Sequence, residues 1–211
     1  MSKQRILETG LVAIVRAPSA DEALRVVEAI HAGGVDVIEV TMTVPGAVPL
    51  LETLSRKIGG KVLLGAGTVL DPETARACIL AGAEFLVSPN LNPEVIELTR
   101  RYSKVSIPAG LTPTEVVTAW EAGADFVKVF PCGALGGADY IRALKAPLPQ
   151  VEMIPTGGVS LENVAGFFKA GAAAVAVGGE LVDKKAVQEK KWDVIAENAR
   201  KFASAVSQAR S

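Results

Sequence analysis

Eight short apolar runs alternate with amphipathic stretches along the 211 residues of the chain. Short apolar runs bounded by glycine and proline are typical of buried strands, and the stretches between them have the helical period. No linker rich in serine or proline interrupts this alternation, which predicts a single domain over residues 1–211. The predicted strands are Leu11–Ala17, Val35–Met42, Val62–Val69, Phe85–Pro89, Val105–Pro108, Phe126–Phe130, Glu152–Thr156 and Ala174–Gly178.

Short capping motifs mark where the predicted helices begin. Ser19-x-x-Glu22 predicts a capping box. Asp71, Asn92 and Thr112 each stand directly before a proline, which is favoured at the first position of a helix. These motifs indicate that helices and strands alternate at defined boundaries.

Eight strand–helix units can form a closed (β/α)8 barrel or an open doubly wound sheet. Open sheets collect ligands at one switch point, and no G-x-G-x-x-G motif follows the first predicted strand. The residues with chemical potential instead fall late in several strands or just after them, where barrels place their active groups. We therefore expect a single (β/α)8 barrel.

Composition excludes several classes of function. The chain is 49% hydrophobic, its formal net charge is −1, and it has no cluster of basic residues, which argues against nucleic-acid binding. No segment approaches the roughly 18 apolar residues of a membrane span, and the start lacks a signal peptide, so we expect a cytoplasmic protein without membrane partners. Cys78 and Cys132 lack C-x-x-C spacing, which gives no support to a disulfide framework or a thiolate metal site.

Lys128 interrupts the apolar run Phe126–Phe130. Burial disfavours the charged form of lysine and can lower its pKa by about 3–5 units when it is complete. A neutral amine is a nucleophile that can attack a carbonyl and form a Schiff base. The alternative is a lysine that snorkels to solvent or is neutralised by a core carboxylate. We favour catalysis, because charged groups in such strands concentrate at functional sites.

Glu39 is the second charged residue within an apolar strand. Side chains alternate along a strand, so Val37, Glu39 and Thr41 point to one face. If that face is the barrel interior, Glu39 and Lys128 meet in one narrow, dry space, where a carboxylate beside a desolvated lysine can carry protons. The alternative is a buried structural ion pair, although such pairs rarely stabilise a protein relative to apolar packing.

Two further features stand at strand ends. The segment Gly65-Ala66-Gly67-Thr68 closes the third strand almost without side-chain bulk, which leaves room for a ligand or marks a bulge. Arg16 closes the first strand and could bind a carboxylate, with a surface salt bridge as the alternative.

Glycine pairs follow the seventh and eighth strands, where barrels of this kind commonly hold phosphate. The pairs are Gly157-Gly158 and Gly178-Gly179, and glycine lets backbone N–H groups approach an anion closely. Plain turn glycines are the alternative. Glu180 opposes the phosphate interpretation, because an acid at this position repels phosphate unless its side chain points away.

Several of these segments together resemble a known enzyme family. They are Ile38-Glu39-Val40-Thr41, Gly65-Ala66-Gly67-Thr68, Ser88-Pro89, Lys128-Val129-Phe130-Pro131 and Pro155-Thr156-Gly157-Gly158. In this order they resemble the 2-keto-3-deoxy-6-phosphogluconate aldolases, also called 4-hydroxy-2-oxoglutarate aldolases, and the match extends over most of the chain. The resemblance implies a homotrimeric (β/α)8 barrel that uses a lysine Schiff base and needs neither a metal nor another cofactor.

The resemblance also implies roles for individual residues. Lys128 carries the imine and Glu39 transfers protons, whereas the other implied residues bind or surround the substrate. Those that shape the pyruvate pocket are Thr68, Pro89 and Phe130, and those that hold the phosphate are Gly157, Gly158, Gly178 and Gly179. Thr156 resembles the residue associated with the gluconate rather than the galactonate epimer.

Two positions depart from the family pattern. In one branch an arginine two residues after the E-V-T threonine binds the substrate carboxylate, and Thr43 occupies that place here. Arg16 is expected to substitute, as in a second branch whose first strand ends similarly. Glu180 stands where a small residue commonly follows the glycines, which lowers the expectation of a phosphorylated tail.

The expected activity is cleavage of 2-keto-3-deoxy-6-phosphogluconate to pyruvate and glyceraldehyde 3-phosphate, with 4-hydroxy-2-oxoglutarate as a further substrate. One alternative is an aldolase for an unphosphorylated or galactonate-type 2-keto-3-deoxy acid. A second is a phosphate-binding barrel isomerase or synthase in which Lys128 acts only electrostatically. A third is a catalytically silent oligomeric scaffold. The expected partners are a small-molecule substrate and further copies of the chain, without nucleic acid.

Overall fold

The computed structural model describes all 211 residues and contains eight strands that alternate with helices. The strands are β1 (Leu11–Val15), β2 (Val37–Thr41), β3 (Leu63–Gly67), β4 (Phe85–Val87), β5 (Val105–Ile107), β6 (Val127–Val129), β7 (Met153–Pro155) and β8 (Val175–Val177). The helices are α1 (Ser2–Thr9), α2 (Ala20–Ala32), α3 (Ala47–Ile58), α4 (Pro72–Leu80), α5 (Pro93–Arg101), α6 (Pro113–Glu121), α7 (Ala138–Lys145), α8 (Val164–Lys169), α9 (Lys184–Gln188) and α10 (Trp192–Arg210).

Parallel pairing closes the strands into a barrel. Six strands form one parallel sheet in the order β5-β4-β3-β2-β1-β8, and β6 pairs with β7. Bridges join the two groups, because Ala109 pairs with Lys128 and Thr156 pairs with Ala176. The N–H of Lys128 also donates to the carbonyl oxygen of Pro108 at 2.9 Å. The predicted (β/α)8 barrel is confirmed, since each strand neighbours the next one along the chain.

The strand period separates the residues of the barrel interior from those that face the helices. Along β2, Val37 packs inside the barrel, whereas Ile38 and Val40 pack in the layer between strands and helices. Helix α1 covers the end of the barrel where the strands begin, and its Ile6 is fully buried in the interior cluster. The interior is therefore closed below by apolar side chains, which leaves the opposite end for a site.

The long helix α10 completes the outer layer. It packs against α2 and α8 through one apolar face. The buried residues on this face are Ile195, Ala199, Phe202 and Val206. Their spacing follows the helical period, so a single stripe of α10 is removed from water.

All eight predicted strands are present, and each is shorter than predicted. The first strand, for example, ends at Val15 instead of Ala17. Polar residues that follow the strands, such as Arg16, therefore lie in loops at the mouth of the barrel. This difference matters for the site, because a side chain in a loop can reach a ligand above the strands.

The predicted helix starts are confirmed at Asp71, Asn92 and Thr112, whose side chains accept hydrogen bonds from backbone N–H groups in the first turn. The complete capping box lies at Thr112 rather than at Ser19. Ser19 does accept a hydrogen bond from the N–H of Glu22, but the Glu22 carboxylate accepts from the Ser19 hydroxyl instead of the backbone. None of the helices combines the length and the apolar character that crossing a membrane requires.

Candidate active site

Lys128 and Glu39 stand on opposite sides of the barrel. They belong to β6 and β2, which are four strands apart in either direction around the ring. Both are buried, with 4% of Lys128 and 1% of Glu39 exposed to solvent. They line one small cavity of about 10 Å³ together with Thr156, and they form no direct ion pair. A cavity of this size approaches the volume that one water molecule needs.

Burial brings the pKa values of these two groups toward each other. Desolvation lowers the pKa of Lys128, and the opposing attraction of Glu39 offsets it only in part. Desolvation likewise raises the pKa of Glu39, against the attraction of Lys128 and Arg16. The Oε2 atom of Glu39 is buried without a hydrogen-bond partner. An amine and a carboxyl group with converging pKa values can exchange protons readily, as acid–base catalysis requires.

A second cavity, of about 210 Å³, lies at the mouth of the barrel. Thr156 and Ala176 line both cavities, so the larger one leads to the buried pair. Phe130 also lines it, and its ring centre lies 5.1 Å from the Nζ atom of Lys128. The other predicted residues in its wall are Arg16, Gly157, Gly158, Gly178 and Gly179. Most of the predicted substrate-binding residues are thus brought together at one mouth.

The predicted free space beside Gly65 and Gly67 is occupied by the protein itself. A Cβ atom on Gly65 would overlap the Phe85 ring, and one on Gly67 would overlap the carboxylate of Glu39. The ladder between β2 and β3 is continuous from Val37 to Thr41, so the segment forms no bulge either. Both expectations for these glycines were wrong, because they make room for inward side chains of neighbouring strands.

Three predicted residues stand at the mouth without lining either cavity. Thr68 and Pro89 follow β3 and β4 and are half-buried. Thr68 has a φ of 59°, which is unusual for a β-branched residue and marks local backbone strain. Thr43 is exposed, and its hydroxyl lies 2.7 Å from that of Thr41, which donates to the carbonyl of Val15 at 3.1 Å. Thr41 therefore joins β2 to the end of β1, and Thr43 lines neither cavity.

Arg16, unlike Thr43, reaches the larger cavity. Its side chain lines the larger cavity, and its charge influences the pKa values of both Lys128 and Glu39. It makes no ion pair with any acidic residue, so the alternative of a surface salt bridge is not realised. A free guanidinium beside the buried pair is suited to a carboxylate.

The two glycine pairs differ in how much space surrounds them. A Cβ atom on Gly158 would lie 2.9 Å from the Cα atom of Gly133, so local packing requires that glycine. Gly179 has no atom within 4 Å of a built Cβ atom. The N–H groups of Gly179 and Glu180 donate to no acceptor of the protein. The wall after β8 is consequently open and offers backbone donors to an anion, while the Glu180 side chain is exposed.

Sequence reasoning missed Lys184, the first residue of α9, which lines the larger cavity. Its proximity along the chain to Gly178-Gly179 was the available indication. The structure contains no group of three or more histidine, cysteine or acidic side chains that could hold a metal ion.

Comparison with known proteins identifies the family. Residues 3–198 match the family described as KDPG and KHG aldolase, where the abbreviations denote the gluconate- and hydroxyglutarate-type keto acids named above. The chain belongs to this family, and it is an aldolase. The resemblance inferred from the short motifs is thereby confirmed.

Curated relatives include aldolases named for each of the two sugar epimers. The 2-dehydro-3-deoxy-6-phosphogalactonate aldolase of Escherichia coli is 40% identical over 172 residues, which cover 81% of this chain and 83% of that protein. The 2-dehydro-3-deoxy-phosphogluconate aldolase of Haemophilus influenzae is 31% identical over 192 residues, which cover 91% of this chain and 90% of that protein. The family therefore fixes the aldolase chemistry and leaves the epimer open.

Solved structures agree with this assignment. A KDPG aldolase from Legionella pneumophila, with pyruvate captured as a covalent carbinolamine, has a TM-score of 0.85 and 28% identity, covering 95% of this chain and 97% of that one. A structure described as native KDPGal has a TM-score of 0.86 and 36% identity, with 95% of each chain covered. A 3-hexulose-6-phosphate synthase, at 16% identity and a TM-score of 0.73, shares the fold alone.

The burial of Lys128 and Glu39 predicts a pH-dependent loss of stability. Replacing both by methionine removes two buried ionisable groups, and we expect the free energy of unfolding near neutral pH to rise by about 1–4 kcal/mol. The lowered pKa of Lys128 destabilises the wild type as pH falls below the ordinary lysine value of 10.5. The raised pKa of Glu39 destabilises it as pH rises above the ordinary value of 4.5.

The gain of this double variant is therefore expected to be largest near neutral pH and to shrink toward both limits. Urea unfolding followed by circular dichroism at acidic, neutral and alkaline pH measures it. The matched control replaces Lys185 and Glu189, an exposed pair 3.9 Å apart, by methionine and should change stability by about 1 kcal/mol or less. A double variant less stable than the wild type at neutral pH would contradict the burial argument.

Proposed function

We propose that Lys128 forms a Schiff base with a 2-keto acid and that the substrate is 2-keto-3-deoxy-6-phosphogluconate, cleaved to pyruvate and glyceraldehyde 3-phosphate. The observation that carries this proposal is the buried amine of lowered pKa that faces a buried carboxyl group across one cavity. Pyruvate held covalently in the Legionella pneumophila relative supports the same chemistry for this chain.

The reaction starts at the Nζ atom of Lys128. The neutral amine adds to C2 of the keto acid, and loss of water from the carbinolamine leaves an iminium ion. Glu39, directly or through one water, removes the proton of the C4 hydroxyl. The electron pair of the C3–C4 bond then moves to the iminium nitrogen, and the aldehyde departs.

The second half of the reaction returns the enzyme to its starting state. Glu39 gives the proton to C3 of the enamine, and water hydrolyses the resulting iminium to pyruvate and free Lys128. The raised pKa of Glu39 suits both steps, because its carboxylate is a stronger base than an exposed one and its acid form persists to a higher pH.

The remaining residues of the mouth bind the two ends of the substrate. Arg16 pairs with the carboxylate, while Thr68, Pro89 and Phe130 shape the space around the pyruvate half. The phosphate lies against the glycine pairs, where the unpaired N–H groups after β8 support its binding. The same arrangement accepts 4-hydroxy-2-oxoglutarate as a further substrate.

Reductive trapping tests the Schiff base. Incubation with pyruvate and borohydride is expected to add one pyruvate-derived group to Lys128 at neutral pH, because its lowered pKa leaves more of the amine uncharged. Peptide mapping by mass spectrometry locates the adduct. The Lys128→Met variant serves as the control and should remain unlabelled. An active wild-type protein in which Lys128 stays unmodified would overturn the proposal.

A substitution of Glu39 tests proton transfer. Glu39→Gln keeps the shape of the side chain and removes its basicity, so we expect turnover to fall by about 10²–10⁴ while borohydride trapping of pyruvate remains detectable. A pyruvate-release assay measures the loss. Glu121→Gln, an exposed substitution at the end of α6, is the control and should retain wild-type turnover. Wild-type turnover in Glu39→Gln would remove the residue from the mechanism.

A galactonate-type substrate is the second candidate, because the Escherichia coli relative that is 40% identical carries that name. Thr156 favours the gluconate epimer, and its buried hydroxyl stands where the two cavities meet. We expect a higher kcat/KM for the gluconate epimer and a fall in this preference of about 2- to 10-fold in Thr156→Val, which lacks the hydroxyl. Pyruvate release from both epimers measures the ratio. A higher value for the galactonate epimer in the wild type selects the second candidate.

We also propose a homotrimer in the cytoplasm. A protein cage designed by fusing symmetric oligomeric domains matches this chain at 36% identity with a TM-score of 0.86 over 95% of it, which supports self-association. Large apolar side chains such as Leu80 and Trp120 are exposed and available for contacts between copies. Cys78 and Cys132 are free thiols, in keeping with a reducing compartment.

A further inference from the structure

The mouth of the barrel holds a second free cation besides Arg16. Lys184 begins α9 and lines the larger cavity. The helix is anchored by its buried residues Ala186 and Val187, and Asp183 caps it by accepting a hydrogen bond from the N–H of Ala186 at 2.7 Å. The backbone that carries Lys184 is therefore held in place, and the residue itself is exposed.

Lys184 and its neighbour Lys185 differ in whether they lie close to an acidic side chain. The Nζ atom of Lys185 lies 3.9 Å from the Glu189 carboxylate, and Lys185 lines neither of the two cavities described above. Lys184 forms no ion pair with any acidic residue, although Glu180 lines the same cavity. An unpaired ammonium in the wall of a substrate cavity is available to an anionic ligand.

The two free cations of this cavity come from different segments of the chain. Arg16 follows β1, and its charge reaches the buried Lys128 and Glu39. Lys184 belongs to the segment after β8 that also carries the unpaired N–H groups of Gly179 and Glu180. Arg16 therefore acts on the buried pair, and Lys184 shares its segment with the open backbone donors.

We propose that Lys184 binds the phosphate of the substrate and determines a preference for phosphorylated over unphosphorylated 2-keto-3-deoxy acids. This inference rests on the proposed aldolase function and deepens it. The ammonium group completes an anion site whose other donors are backbone N–H groups. It also offsets the negative charge of Glu180, which otherwise repels a phosphate at the same wall.

Paired substrates provide the test. Pyruvate release is measured with 2-keto-3-deoxy-6-phosphogluconate and with the same acid lacking the phosphate, and the ratio of the two kcat/KM values defines the preference. We expect Lys184→Gln to lower this ratio by about 10- to 100-fold, mainly through a higher KM for the phosphorylated acid. Lys184→Arg should restore most of the ratio, since it keeps the charge.

Lys185→Gln is the matched control, because it removes the same charge from the adjacent position outside the cavity. Its ratio should stay within about twofold of the wild type, as expected for an exposed, screened charge. An equal fall in Lys184→Gln and Lys185→Gln would overturn the proposal, because general electrostatic attraction would then explain the preference. An unchanged ratio in Lys184→Gln would also overturn it.

A second substitution tests the compensation between Lys184 and Glu180. Glu180→Gln is expected to lower KM for the phosphorylated acid, and adding it to Lys184→Gln should recover part of the lost preference. No recovery in the double variant would contradict this part of the proposal. Borohydride trapping in the wild type keeps the two proposals separate: absent trapping defeats the Schiff-base function, whereas normal trapping with an unchanged ratio defeats only the role of Lys184.

Discussion

The site depends on keeping one amine and one carboxyl group out of water without pairing them directly. Lys128 and Glu39 are nearly as buried as the valines and isoleucines around them, yet no hydrogen bond satisfies Oε2 of Glu39. Such groups destabilise a folded protein, so the rest of the barrel must offset them. Two apolar clusters stabilise the fold and offset this destabilisation. One has 51 buried residues and lies between the strands and the helices, and the other has 13 and lies inside the barrel.

The shape of the interior follows from this constraint. Strand β3 contributes glycine at two inward positions, and the neighbouring strands fill the space with the Phe85 ring and the Glu39 carboxylate. The aromatic ring lies in the apolar cluster closed below by Ile6, while the carboxylate reaches the cavity above it. Replacing either glycine by a larger residue forces one of these two side chains to move. Gly67 thus leaves room for the acid, and Gly65 leaves room for the ring.

The sequence reveals the buried pair because Lys128 and Glu39 are charged residues within segments that are otherwise apolar and have the pattern of buried strands. A charge at an inward position of an apolar strand is unusual in any fold, so both residues could be identified without coordinates. The function of Gly65 and Gly67 could not, since the atoms that fill their space come from adjacent strands. Lys184 could not be identified either. In a polar segment, no sequence pattern distinguishes a lysine that faces a cavity from a neighbouring lysine that faces solvent.

This division between core and mouth has a chemical consequence. In the proposed mechanism every 2-keto acid presents the same carbonyl carbon to Lys128, so the buried pair can serve several substrates without change. Selection among them must come from groups that reach the distal end of the ligand. In the proposed function those groups lie in the segments after β7 and β8, which are half-buried or exposed around Gly157 and Gly179. A Cβ atom on Gly179 would meet no atom within 4 Å, so substitutions after β8 alter little packing, whereas Gly158 after β7 is held close to Gly133. Specificity can therefore vary in the segment after β8 while the costly buried pair stays fixed.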